Sequence, residues 1–427
     1  MKPLRFDEDW RPLCDAARRS EWLDPIKCLR IAPGLALTFG GELRERIEVF
    51  DNPGFGVKQR SDHVLLHRVL LHADLRLDDT VRAFVQLGAL NQNGREGPRA
   101  ATDVDRFDLM QGFIDLSVPV GDGRATLRGG RQELSFGSQR LVSVRDGPNL
   151  RRTFDGGRGF WAGGLFRVDA LYVRPVLVGA GVFDDRANRS EALWGMYGTG
   201  PVIGPLHADL YYLGYERSAA KFASGVGDER RHSFGLRLFG TDHAVDWDVE
   251  GVYQIGRFGT HDVEAWTVAS DIGITLDAMP GKLRLGLKAD VASGNRGGRT
   301  LGTFNALYPK LPYFSEAGLI APANIIDLHP TARIGLAPTV RASVEWNWLW
   351  RETTRDAVYA PPLSAIPGTA SRGGRFTGQQ AIAGIEWQTS PQVTIATQYV
   401  HFFPGGGLRS VNGRSVDFVF ASASYRF

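Results

Sequence analysis

The chain has little cysteine, little lysine and no long apolar run. Its 427 residues include only two cysteines, Cys14 and Cys28, which excludes a disulfide-dense scaffold. Both precede the first strand pattern, where they either pair in an oxidising compartment or stay free. No Cys or His spacing matches a zinc site. Seven of the 50 basic residues are lysine, so 50 − 7 = 43 are arginine. Base composition of a genome can favour arginine, but its planar fork also suits carboxylate and phosphate recognition. Against 47 acidic residues the net charge is only +3, which does not point to nucleic acid. Mean hydropathy is -0.18, and no segment is long and apolar enough to read as a spanning helix. The opening residues lack the apolar h-region of a signal peptide, so either this is a mature form or the true start lies upstream.

What is present is period-two alternation, repeated from about residue 35 to the end. Val340, Ala342, Val344, Trp346, Trp348 and Trp350 share one face, and Arg341, Ser343, Glu345, Asn347 and Arg351 share the other. Arg284, Lys288 and Asp290 likewise oppose Leu285, Leu287 and Val291, while Asp246, Asp248, Glu250 and Gln254 oppose Trp247, Val249, Tyr253 and Ile255. The runs have about 10 to 15 residues, enough for a tilted strand to cross a bilayer, whereas soluble strands average about 5 or 6. Short turns near residues 78–80, 120–123, 279–281 and 389–391 alternate with long polar connections near 91–104, 137–150, 178–190, 294–323 and 352–377. This is the rhythm of outer-membrane barrels. The expected fold is all-β: a closed antiparallel transmembrane β-barrel of about 18 strands, over residues 35–427, behind a periplasmic lead-in at 1–34. Val419, Ala421, Ala423, Tyr425 and Phe427 share a face, so the chain ends on an aromatic turned to lipid.

With lipid outside, the charged faces turn inward. Glu42, Arg44, Arg46 and Glu48 line the first strand, and Arg68, His72, Asp74 and Arg76 the second; Arg341, Glu345 and Arg351 line a later one. Such charges either pair to stiffen the wall or, where one sign is in excess, select a solute. The candidate excess is Arg131, Arg140, Arg145, Arg151, Arg152 and Arg158 against Glu133, Asp146 and Asp155. The turn residues at 146–149 imply a loop folded toward the lumen or rim. No nucleophile elbow, phosphate loop or metal-binding helix is present. His63 and His67 share a face opposite to that of His72. No enzyme activity, cofactor or metal is expected.

Several segments together resemble the alginate export family of outer-membrane proteins: residues 5–10 (RFDEDW), 22–27 (WLDPIK), 41–46 (GELRER), 50–53 (FDNP) and 71–75 (LHADL), and above all 130–133 (GRQE), 140–149 (RLVSVRDGPN) and 151–156 (RRTFDG). Later echoes are 304–305, 327–330 and 350–351. The resemblance implies a monomeric eighteen-stranded barrel in the bacterial outer membrane, with an arginine-rich constriction that passes an anionic polysaccharide outward. The implied partners are outer-membrane lipid, the anionic saccharide solute and periplasmic export proteins. A general diffusion porin for small polar or anionic nutrients is the alternative.

Overall fold

In the computed structural model, which describes residues 2–57 and 59–427, the period-two segments become the staves of one closed antiparallel barrel of 18 strands. The first six are β1 (Leu35–Asp51), β2 (Ser61–Leu77), β3 (Val81–Asn93), β4 (Asp105–Val120), β5 (Gly123–Gln132) and β6 (Phe154–Gly163). The middle six are β7 (Phe166–Leu177), β8 (Glu191–Ile203), β9 (Leu206–Phe222), β10 (Gly225–Asp242), β11 (Val245–Phe258) and β12 (His261–Leu276). The last are β13 (Leu283–Ala292), β14 (Ile325–Ala337), β15 (Val340–Trp350), β16 (Phe376–Gln388), β17 (Val393–Pro404) and β18 (Val416–Arg426). β1 pairs with β2 from Leu35 opposite Leu77 to Asp51 opposite Ser61, and closes on β18 from Glu42 opposite Arg426 to Asp51 opposite Asp417. Closure leaves no edge whose amide groups would lie unpaired in hydrocarbon.

Burial follows the parity read from the sequence. Val344 is 64 % exposed on the outer face, and Leu43, Leu71, Leu116, Leu210 and Leu285 are exposed with it, while Glu42, Arg44, Arg68, Asp74 and Glu345 are buried inside. An apolar girdle of this kind is stable only against lipid. Strand-to-strand connections at the end carrying both termini are short, such as 121–122, 164–165 and 338–339. At the other end, 133–153, 293–324 and 351–375 are long, although 223–224 and 259–260 are two-residue turns.

Two features depart from a simple polar bore. First, inner faces are ionic mainly toward the termini; toward the long loops they turn apolar. Leu171, Leu193, Leu213, Leu349 and Phe402 point inward and pack with Phe136, Leu141, Phe304, Tyr308 and Phe314 of the long connections, forming a hydrophobic core inside the barrel. Second, part of the lead-in enters the lumen instead of staying outside it. Phe6 packs edge-on against the stacked rings of Phe84 and Phe113, with ring centroids at 6.1 and 5.4 Å, and Arg5 donates to the carbonyls of Gly41 and Phe427. Burying that ring on an aromatic wall is what draws the segment inward. Behind it, Cys14 and Cys28 are joined by a disulfide.

Candidate functional site

The connection at 133–153 leaves β5, crosses the lumen and returns to β6. At its base the Arg151 Nε lies 2.8 Å from a Glu133 carboxylate oxygen, with both groups buried. Burial pushes the Glu133 carboxyl up to about 7, with Arg151 opposing the shift. The far turn is gripped by two wall arginines. Arg44 donates to the carbonyls of Asp146 and Pro148 at 2.7 and 2.8 Å. Arg68 donates to Asn149 and Pro148 carbonyls and pairs with Asp146 and Glu42. On the opposite wall Arg140 reaches Asp248 at 2.8 Å and Glu250 at 3.0 Å on β11. A single loop is thus tied to both sides of the barrel.

A second connection, 302–324, lies along the first. Backbone bonds run from Ser143 to Tyr308, Tyr308 to Leu141, Lys310 to Gln139 and Gly147 to Leu311. At Gly147 the two chains approach so closely that a Cβ would stand 2.6 Å from the Leu311 carbonyl oxygen, which only glycine avoids. This second loop is anchored by Glu316 to Arg46 at 2.9 Å and by the Tyr313 hydroxyl donating to Asp290 at 3.0 Å.

A cavity lies on each side of the laced loops. Toward the long-loop end, about 460 Å³ is lined by Arg145, Arg152, Arg217 and Lys221, with Glu191 and Glu229 as its acids. Glu229 already binds Arg231 and Asn305, and Glu191 accepts from the hydroxyls of Tyr215 and Tyr308. Among the described residues, none of the four cations has a carboxylate at ion-pair distance. Arg145 is held there by a backbone φ of 53°, unusual for a side chain of its size. Burial brings its guanidinium down to about 9, and neighbouring Arg152 works in the same direction. The Arg152 guanidinium lies 5.3 Å from the Tyr308 ring centroid.

Toward the termini, about 530 Å³ is lined by arginines interleaved with aromatic rings. Arg128 sits 3.8 Å from the Phe113 centroid and 4.3 Å from that of Phe6; Arg167 sits 4.3 Å from Phe160 and Arg237 4.0 Å from Phe239. Each also has a carboxylate: Asp115 for Arg128, Asp169 for Arg158 and Arg167, Asp209 and Asp248 for Arg237. This wall is charge-balanced, unlike the other cavity.

The residues singled out by sequence therefore separate. Arg145 and Arg152 face the positive cavity, and Arg158 faces the aromatic wall. Asp74 and Arg76 pair at the mouth near the termini, where Arg76 also binds the Glu8 carbonyl. Glu345 gathers Lys288 and His329 on the inner face, and Arg341 opens to the mouth at 80 % side-chain exposure. Arg131 and Asp155 pair at 2.8 Å near the opposite rim. Arg351 does not line a pore. It is fully buried and gives its donors to carbonyls of Thr369, Arg372 and Gly374, because the connection at 351–375 folds over it. Arg82, Arg128, Arg167, Arg217, Lys221 and Arg237 were not among the sequence candidates. Their inward parity was readable, but their association with rings on other strands was not.

A closed, girdled barrel with a charged lumen defines an outer-membrane channel. Residues 35–422 match the alginate export family, and the chain belongs to that family. Its place is the bacterial outer membrane. Among curated proteins no relative matches it. Crystal structures of similar shape include Pseudomonas aeruginosa OpdQ, at 12 % identity and TM-score 0.62, covering 92 % of this chain and 97 % of that one. OccK3 (OpdO) of the same organism, at 13 % identity and TM-score 0.61, covers 92 % and 95 %. OccK2 (OpdF), solved in complex with glucuronate, has 10 % identity and TM-score 0.60, with 92 % and 96 % covered.

Proposed function

We propose that this channel passes an acidic saccharide chain outward, and that the cavity bearing Arg145, Arg152, Arg217 and Lys221 is where its carboxylates are taken from water. The observation that carries this reading is the four cations without carboxylate partners. Guanidinium forks replace the hydration of a carboxylate through paired hydrogen bonds, and a low-dielectric wall concentrates their field. The arginine-aromatic wall toward the periplasm presents flat apolar faces beside charges that its own acids hold extended, which suits sugar rings without binding them tightly. Cavities of about 460 and 530 Å³ match small-ligand sites, so a polymer would pass extended, a few sugar units at a time. A channel of similar shape has been solved with glucuronate, a sugar acid. Each chain forms a complete channel in this reading, and periplasmic export proteins deliver the polymer to the end holding residues 3–8.

The test is planar-bilayer recording with uronate oligomers. Wild type should favour anions, and the oligomers should block its current; Arg152→Gln combined with Arg217→Gln should weaken both effects. Cation preference in the wild type, or block by neutral oligosaccharides at equal concentration, would overturn the proposal.

A further inference from the structure

Away from the lumen loops, at the rim formed by the long connections, a group of carboxylates has too few cations. Asp105 and Asp108 open β4, and Asp185 lies in the connection 178–190 between β7 and β8. Carboxylate oxygens of the three lie within 4.8 Å of one another. Arg131 of β5 is the nearest cation, but its guanidinium is bonded to Asp155 at 2.8 Å and stays 3.7 Å from Asp108 and 3.6 Å from Asp185. Three carboxylates thus share one guanidinium, and Asp105 lies beyond its ion-pair reach.

Asp105 is the informative member. It is fully buried, its carboxylate lies within the cluster, and neither oxygen has a hydrogen-bond partner. An ionised carboxylate without partners is among the costliest groups to bury. Its neighbours are organised differently. Asp108 accepts from the backbone amides of Asp184 and Asp185 at 2.8 and 3.1 Å, and Asp185 accepts from that of Gly179 at 2.8 Å. The connection is thereby fixed over the rim, with a carboxylate oxygen of Asp185 within 4.8 Å of one from Asp105. Phe183 also packs edge-to-face on Phe107 at 5.4 Å, and its amide donates to the Phe107 carbonyl.

We propose that Asp105, Asp108 and Asp185 bind a divalent cation, calcium in particular, which clamps the 178–190 connection across the ends of β5 and β6 onto β4. All the donors are hard oxygens, and their unequal surroundings suit the flexible coordination of calcium better than the strict octahedron of magnesium. The cation brings the cluster close to charge balance with Arg131 and gives Asp105 the partner that it lacks. Water completes the coordination.

The experiment uses the whole chain refolded in detergent free of lipopolysaccharide, which itself binds calcium. Calorimetric titration with CaCl2 should give one site per chain, with magnesium weaker by roughly tenfold or more. Calcium should also slow tryptic cleavage after Arg186 and Arg189, relative to chelator, by roughly tenfold, because a clamped segment must open before it is cut. Asp105→Asn should abolish both effects. Should that variant fail to fold, Asp185→Asn, which lies outside the staves, serves the same purpose. No heat of binding up to roughly 10 mM calcium, about tenfold above the range of weak extracellular sites, would overturn the proposal. So would unchanged affinity in the Asn variants. A more stable Asp105→Asn protein with no calcium response in the wild type would show that Asp105 is instead held protonated, and would equally reject the site.

Discussion

The guanidinium of Arg151 donates to the carbonyl oxygen of Pro3 at 2.8 Å while its Nε faces Glu133 at the same distance. The lumen-crossing loop is thereby joined to the segment that carries Phe6. Deleting residues 2–6 removes the Phe6 ring from the Phe84–Phe113 wall and the Arg5 contacts with Gly41 and Phe427, but no stave. Single-channel conductance should rise severalfold in the deletion variant, with the β-sheet circular dichroism unchanged. Conductance equal to wild type would show that the segment does not obstruct the path.

Unpaired and paired arginines should behave differently. Arg145→Asn keeps a residue that tolerates the positive φ and removes a cation from the outer cavity. Arg131→Gln removes a cation already matched by Asp155. In a salt gradient, the reversal potential should shift toward zero for Arg145→Asn and stay close to wild type for Arg131→Gln. The opposite ordering would move the selective site to the rim.

Glu133 provides a pH dependence. Because burial pushes its carboxyl up to about 7, the group is mostly ionised above that value and mostly protonated below it. Protonation removes a negative charge beside Arg151, so anion preference should increase as pH falls from about 8.5 to about 5.5. In Glu133→Gln, preference should stay at its low-pH level across this range. The measurement is reversal potential against pH for both proteins.

Adjacent positions on β15 test which face meets lipid. Val344 points outward, whereas Ser343 lines a cavity at the mouth near the termini. Val344→Arg should cost about 2–4 kcal/mol if the site is near mid-bilayer, and Ser343→Arg much less. Urea-driven unfolding from lipid vesicles compares the two directly; similar losses would contradict the assigned register.

The period-two pattern was enough to determine the staves, their inward and outward parity and the lipid-facing girdle. Each of these depends on neighbours two residues apart, and a shift of one residue would put Arg44 or Arg68 into hydrocarbon. Turn residues at 146–149 also announced a loop directed inward. What this loop does was decided only by tertiary structure, because its contacts join distant parts of the chain: Arg140 meets Asp248 across 108 positions, and Arg151 meets Pro3 across 148. The same holds for Arg351, whose parity marked it for the lumen until the connection at 351–375 supplied it with carbonyls, and for Asp105, which meets Asp185 only because the connection at 178–190 folds back onto β4. Local alternation assigns a side chain to a face. Whether its charge is then free, paired or buried depends on which distant segment covers that face, and the covering follows from packing Phe6, Phe136, Tyr308 and Phe314 inside the barrel.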